Sequence, residues 1–269
     1  MMSDDRYEVI IVKYGTRDTV RSDVYLNYGV YGQPDAPIRM DYFVWVVRNA
    51  HRTILVDTGY SPAGGANRNR TTVLPPPDAW ERLGITPEMA PDIVLTHAHY
   101  DHTGNLDRFP GSRIFMARAE FDFWTGPHAH HPLFHHSAED AELAGLVAAE
   151  AEGRVTFFDD RLDLAPGVEV IRLGGHTPGQ AVVVAQTAGG PVLLASDSVH
   201  YLEEYEDALP FMSVANLVDM YAGFDRIREL EAAGRVRHIV PGHDPGTLDR
   251  FEPYGAPLEG FASVIGRLP

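Results

Sequence analysis

At 269 residues, 44% of them hydrophobic and 22% charged, the chain has the composition of a folded protein, and one α/β domain over residues 1–269 is expected. A formal net charge of −16, with a single lysine, Lys13, among 22 basic residues, disfavours nucleic acid as a partner. The lack of cysteine excludes disulfides, thiolate nucleophiles, iron–sulfur clusters and Cys-containing zinc sites, so any metal must bind through histidine and carboxylate.

In chain order, Tyr7–Lys13, Tyr42–Val47 and Thr53–Val56 are rich in β-branched and aromatic residues and predict strands, the third ending at Asp57-Thr58-Gly59. The opening segment has no basic stretch followed by a long apolar run. No segment approaches the roughly 18 apolar residues of a membrane span, so a cytoplasmic protein without a membrane partner is expected. Ser61–Pro77 carries Pro, Gly and Asn without apolar periodicity and reads as a long irregular loop. Asp78–Leu83 predicts a helix stopped by Gly84, and Asp92–Thr96 a short buried strand. Arg113–Met116 predicts a strand, Ala119–Trp124 a helical turn and Ala138–Glu152 a helix. Val168–Arg172, Ala181–Gln186 and Val192–Ala195 predict strands, Leu217–Ala233 an amphipathic helix ending at Gly234, and Val236–Val240 a last strand.

The strand at Asp92–Thr96 runs directly into His97-Ala98-His99-Tyr100-Asp101-His102, three imidazoles and a carboxylate within one turn. Neutral imidazole and carboxylate suit zinc, iron, cobalt or manganese. Further candidates lie just beyond other predicted strands: His176 in Gly-Gly-His-Thr-Pro-Gly, Asp197 in Ala-Ser-Asp-Ser, and His243 in Pro-Gly-His-Asp.

These motifs in this order, from Leu55-Val56-Asp57-Thr58-Gly59 to Gly242-His243-Asp244, resemble the metallo-β-lactamase superfamily. The resemblance implies an αββα sandwich, two mixed β-sheets flanked by helices with metals at one edge. It also implies two divalent cations, zinc by default, with iron, cobalt and manganese served by the same ligands. His97, His99 and His176 would hold one, Asp101, His102 and His243 the other, and Asp197 would bridge them, with Asp57 orienting the histidines. A water or hydroxide shared by the cations would then be the nucleophile. Asp101 would either ligate only or also protonate the leaving group.

Within the superfamily the chain looks most like the N-acyl-homoserine lactonases, in Asp-Thr-Gly, His-Tyr-Asp-His, Gly-His-Thr-Pro-Gly and the segment Glu206-Asp207-Ala208-Leu209-Pro210-Phe211. The resemblance implies opening of a small-molecule lactone. It also allows a homodimer, with loop 61–77 capping the neighbour's pocket. The β-lactamases proper use a Cys ligand or lack the bridging Asp, and the diiron flavoproteins place Glu where His99 stands. A glyoxalase-II-like thioesterase shares the ligands, but segment 249–269 offers only Arg250 and Arg267 to glutathione. A metal-binding sensor without turnover is the non-enzymatic alternative. No Gly-x-Ser-x-Gly elbow supports a serine hydrolase.

Two residues depart from the lactonase pattern. His200 stands where that family carries a tyrosine touching the lactone carbonyl, with Tyr201 next to it, and either side chain can take the part. Gln180 stands where relatives often have His. His128, His130, His131, His135 and His136 crowd an aromatic loop that suggests a pocket wall or lid, without ligand spacing. Tyr42, Phe43, Trp45 and Leu74 read as core residues first and acyl-pocket residues second.

Overall fold

In the computed structural model, which describes residues 5–268, the strands follow one another as β1 (Glu8–Val20), β2 (Pro37–Arg48), β3 (Thr53–Val56), β4 (Thr71–Thr72), β5 (Asp92–Val94), β6 (Ile114–Ala117) and β7 (Val155–Phe158). They continue as β8 (Arg161–Ala165), β9 (Val168–Arg172), β10 (Ala181–Ala185), β11 (Val192–Ser196), β12 (His238–Pro241), β13 (Glu252–Pro253) and β14 (Ala262–Ile265). The helices are α1 (Pro62–Asn67), α2 (Pro76–Arg82), α3 (Tyr100–Thr103), α4 (Arg118–Trp124), α5 (Pro132–His135), α6 (Asp140–Ala151), α7 (Leu202–Glu206) and α8 (Leu217–Ala232). A nine-stranded sheet has the order β13-β14-β1-β2-β3-β5-β6-β7 with β4 on β1, and a five-stranded sheet the order β12-β11-β10-β9-β8. Both are mixed: β3, β5, β6 and β7 run parallel, as do β11 and β12, while β1–β2 and β9–β10 are antiparallel.

Strand alternation explains the layers. Val9 and Ile11 of β1 and Phe43, Trp45 and Val47 of β2 meet Val170, Val183 and Leu194 of the smaller sheet in a core between the sheets. The intervening Ile10, Val12, Val44 and Val46 face the other way, onto Trp80 of α2 and Leu146 and Ala149 of α6. On the far side, Val182, Val184, Leu193 and Ile239 pack against Met220, Phe224, Ile227 and Leu230 of α8. The result is helix, sheet, sheet, helix, the expected αββα sandwich. Truncating Trp45 or Phe224, both fully buried, to alanine costs about 3–5 kcal/mol.

Four features depart from expectation. The segment 61–77 is ordered rather than irregular: Ser61 accepts a hydrogen bond from the Gly64 amide at 3.0 Å and Pro62 opens α1, the combination that starts a helix. The strands β1 and β2 extend into a long hairpin reaching Val20 and Pro37. The strands β7, β8 and β14 and helix α7 were not anticipated. β12 begins at His238, not at Val236. Among the described residues no helix is long and apolar enough to cross a membrane. Residues 1–4 of the opening segment and residue 269 lie outside the described residues.

Candidate metal centre

The ends of β3, β5, β11 and β12 and the β9–β10 turn converge on one buried cluster. In it, ligand atoms of His97, His99, His176 and Asp197 lie within 4.8 Å of one another, as do those of Asp101, His102 and His243. Asp197 faces both groups. Its Oδ1 is 3.3 Å from His102 Nε2 and 3.2 Å from His243 Nε2, while its Oδ2 is 3.4 Å from His176 Nε2 and 3.9 Å from His97 Nε2.

Three of the rings are oriented from behind. His102 Nδ1 meets Asp57 Oδ2 at 2.7 Å, His176 Nδ1 donates to the Ser213 carbonyl at 2.6 Å and His243 Nδ1 to the Asp41 carbonyl at 2.8 Å. A carbonyl only accepts, so Nδ1 of His176 and of His243 carries a proton, and Nε2 of each faces the centre. Asp57 also accepts from the Thr96 amide and hydroxyl, both at 2.8 Å. Its backbone, like that of Ser196, is left-handed (φ 60° and 47°), a conformation costly for non-glycine residues and concentrated at functional sites. Gly242 lets β12 end close by, since a Cβ there would stand 2.8 Å from Asp197 Oδ1.

The donor set fits divalent cations. The Nε2 atoms of His97 and His102 are buried and have no hydrogen-bond partner, a state a protein avoids unless something else takes the lone pair. Nε2 of His176 faces Nδ1 of His99 across 2.9 Å. Burial pushes the His97 and His99 imidazoles well below their ordinary pKa and brings His176 to about 3, which keeps these rings neutral and able to ligate. Burial opposes a charge on His102 too, but the Asp197, Asp57 and Asp101 carboxylates outweigh it and raise that ring. Asp197 stays ionised because His243, His200 and His102 outweigh its burial.

A family model described as the metallo-beta-lactamase superfamily matches residues 39–250. The chain belongs to the metallo-beta-lactamase superfamily. Within that superfamily it is 25% identical to an N-acyl homoserine lactonase of Bacillus cereus, over 79% of this chain and 81% of that one. It is 29% identical to a lactonase of Bacillus sp., over 61% of this chain, and the match spans 57% of that relative's length. The structure of a quorum-quenching N-acyl homoserine lactone lactonase superposes with a TM-score of 0.75 at 20% identity, covering 91% of this chain and 95% of that one. AidC, a dizinc quorum-quenching lactonase, gives 0.70 at 20% identity, covering 98% of this chain and 95% of the other. At such identities the superpositions speak for the metallo-beta-lactamase fold.

A 410 Å³ cavity opens onto His99, Asp101, His176 and Asp197, lined also by Tyr42, Arg70 and Phe211. An adjoining 130 Å³ compartment, sharing His99 and His176, is walled by Phe123, Trp124, Leu133, Phe134, Met212 and Val214. The aromatic loop is therefore a pocket wall, and of its histidines His136 lines both spaces. Tyr42 reaches the cavity, whereas Phe43 and Trp45 lie between the sheets and Leu74 in the outer core. Neither His200 nor Tyr201 lines either space. The His200 ring stacks under Phe211 at 3.8 Å with Nε2 3.1 Å from Asp197 Oδ2, and the Tyr201 hydroxyl donates to the Arg39 carbonyl at 3.1 Å. Gln180 is fully buried and its amide donates to the Ala181 carbonyl at 2.9 Å.

Two glutamates that the sequence does not single out organise this centre. Glu120, fully buried, accepts from the Ala98 amide (2.8 Å), the Trp124 indole (2.7 Å) and the Gly179 amide (2.8 Å), tying the first histidine turn to the His176 loop. Glu204 accepts from the His200 amide at 2.6 Å, from His200 Nδ1 at 3.0 Å and from the Phe211 amide at 2.9 Å. Burial opposes protonation of His200, but the Glu204 and Asp197 carboxylates outweigh it and bring its pKa to about 9.

Proposed function

We propose that this chain is a metal-dependent hydrolase that opens lactone rings, N-acyl-homoserine lactones or lactones related to them. The observation that carries the reading is Asp197, buried between the two halves of a His/Asp cluster, with His102 Nε2 at 3.3 Å and His243 Nε2 at 3.2 Å on one side and His176 Nε2 at 3.4 Å on the other. The lactonase relatives support the substrate class.

In this reading His97, His99 and His176 hold one divalent cation, Asp101, His102 and His243 a second, and Asp197 both, with zinc proposed by likeness to the dizinc AidC. Such a pair of cations lowers the pKa of water towards neutrality and polarises an ester carbonyl. The chain's own groups do the rest. Asp101, which lines the cavity, would pass a proton to the alkoxide leaving the ring. Phe211 and Met212 add apolar surface to the cavity wall. His200, held by Glu204, fixes the Asp197 carboxylate as a positioning residue rather than reaching the substrate.

The test is proton release, followed by pH indicator, from metal-quantified protein with short- and long-chain acyl-homoserine lactones, simple γ- and δ-lactones and a glutathione thioester. Lactone opening that is abolished by a chelator and restored by zinc is expected. Turnover of the thioester alone would make the chain a thioesterase, and silence on all of them with two metals bound would leave a metal-binding protein without this activity.

A further inference from the structure

The chain is strongly acidic, with a net charge of −16, yet Arg17, Arg68 and Arg70 all line the cavity that opens onto the metal cluster. They differ in what neutralises them. Arg68 pairs with Glu139, donates to the Ala138 carbonyl at 2.8 Å and lies 3.9 Å over the Tyr100 ring. Arg70, half-buried, is held by neutral acceptors: Nε donates to the Tyr100 hydroxyl at 2.9 Å and Nη1 to the Arg68 carbonyl at 2.7 Å. Among the described residues its Nη2 makes no hydrogen bond and no carboxylate pairs with it. The carboxylate whose field reaches it is Asp101, a proposed metal ligand. Arg17 likewise bonds a neutral group, the Thr19 hydroxyl at 3.2 Å.

A cation withdrawn from water and left without an anion is costly, and clefts that keep one usually offer it to a ligand. The placement suits that purpose. The Arg70 guanidinium carbon is 5.7 Å from the Tyr42 ring centre, and the Tyr42 ring is 5.0 Å from the His243 imidazole, so the charge stands one aromatic ring away from the metal cluster. The apolar compartment of Phe123, Trp124 and Phe134 opens on the other side of His99 and His176.

We infer that Arg70, assisted by Arg17, forms an anion subsite for a carboxylate carried by the substrate, so that the preferred lactone is an acidic one whose opening gives a hydroxy dicarboxylate. The inference rests on the lactone reading above. In the reaction the water oxygen joins the carbonyl carbon and the ring C–O bond breaks. One water proton goes to the departing ring oxygen, the new acid releases the other, and the second carboxylate stays unchanged on the guanidinium. With Nε and Nη1 engaged, the unengaged Nη2 is the donor that a substrate carboxylate oxygen would take, a charge-assisted bond.

The test uses the metal-loaded protein and two lactones identical except that one bears a side-chain carboxylate and the other its methyl ester. Calorimetry with the corresponding opened products gives a second readout. Wild type should prefer the acid over the ester by at least tenfold in kcat/KM, the preference shrinking as salt rises. In Arg70→Gln that ratio should fall at least tenfold, mostly through KM, and in Arg17→Gln by less. Arg70→Lys, which keeps the charge, should retain part of the preference. Because each result is a ratio on one preparation, loss of folded or metal-loaded protein cancels. A ratio near one in wild type, or an equal ratio in wild type and Arg70→Gln, overturns the subsite. If neither lactone is opened the lactone reading falls, and equal product affinities for acid and monoester would then overturn the subsite separately.

Discussion

The chain has two histidine-dense segments, 97–102 and 128–136, and they differ in almost everything except composition. In the first, His97, His99 and His102 are buried, at 0%, 7% and 1% exposure. His102 is steered by Asp57, and Thr96 Oγ1 stands 3.2 Å from Nδ1 of His97. In the second, His128, His130, His131 and His136 are exposed. The bonds there run to close neighbours, such as His135 to Asp140 at 2.9 Å and His136 to Ser137 at 3.2 Å. Among the described residues no group of metal-binding atoms gathers in that segment. Histidine density alone therefore says little. Burial, and ring nitrogens brought together from separate strand ends, distinguish the first segment from the second.

The comparison would break first at Asp197 and His97. Asp197→Asn or His97→Ala should remove tightly bound metal and lower turnover by well over the roughly 10–100-fold that loss of an outer partner costs, with circular dichroism near wild type. Plasma emission spectrometry on the dialysed variant checks it, and two metals retained with full activity would dissolve the distinction between the segments. Asp57 comes next. Asp57→Ala leaves every proposed ligand in place but frees the His102 ring and strands the Thr96 amide. Metal affinity should drop about 10–100-fold in chelator competition, and an unchanged affinity would mean that the ring needs no support from behind.

How much of this was legible beforehand depended on whether a residue's surroundings are local. The residues that cluster could be picked out because each follows a strand of β-branched residues or sits in a Gly-containing turn, a pattern contained in a few consecutive residues, while their proposed role as ligands came from the family resemblance. The central strands were readable for the same reason. β8, Arg-Leu-Asp-Leu-Ala, alternates charged and apolar residues as a half-exposed strand does, but the run is only five residues long. Glu120 and Glu204 look like any helical surface glutamate in sequence, and only long-range packing buries them against the backbone amides they hold. His200 and Tyr201 stand where the lactonase resemblance would put a side chain on the lactone carbonyl. Phe211, brought in from beyond α7, covers the His200 ring instead.

Glu142 links the two segments, since α6 follows the exposed histidines and its Glu142 accepts from Thr103, next to His102, at 3.3 Å. Burial, reinforced by Glu139, raises its carboxyl from 4.5 to about 7. Between these values the folded chain keeps a proton that the unfolded chain has lost, so folding stability falls as pH rises through this window and levels off above it. Glu142→Gln should therefore stabilise the protein by on the order of 1–2 kcal/mol at pH 8 and by little at pH 5. Thermal unfolding at the two pH values reads the difference, and a pH-independent effect would show that the side chain is not held protonated.

The smallest effect is expected where histidines are most crowded. Replacing His128, His130, His131 and His135 together by Gln leaves His136, which lines both cavities, untouched. These four rings lie at the surface or half-buried, and exchanging such side chains usually shifts stability within about 0.5 kcal/mol each. Metal retained after dialysis against a weak chelator should be unchanged, while loosely held nickel or zinc, measured before dialysis, should fall. The two pools separate the segments in one experiment: if the variant lost its tightly held metal, the loop would be feeding or closing the centre, and its exposed rings would have to be counted with the buried ones.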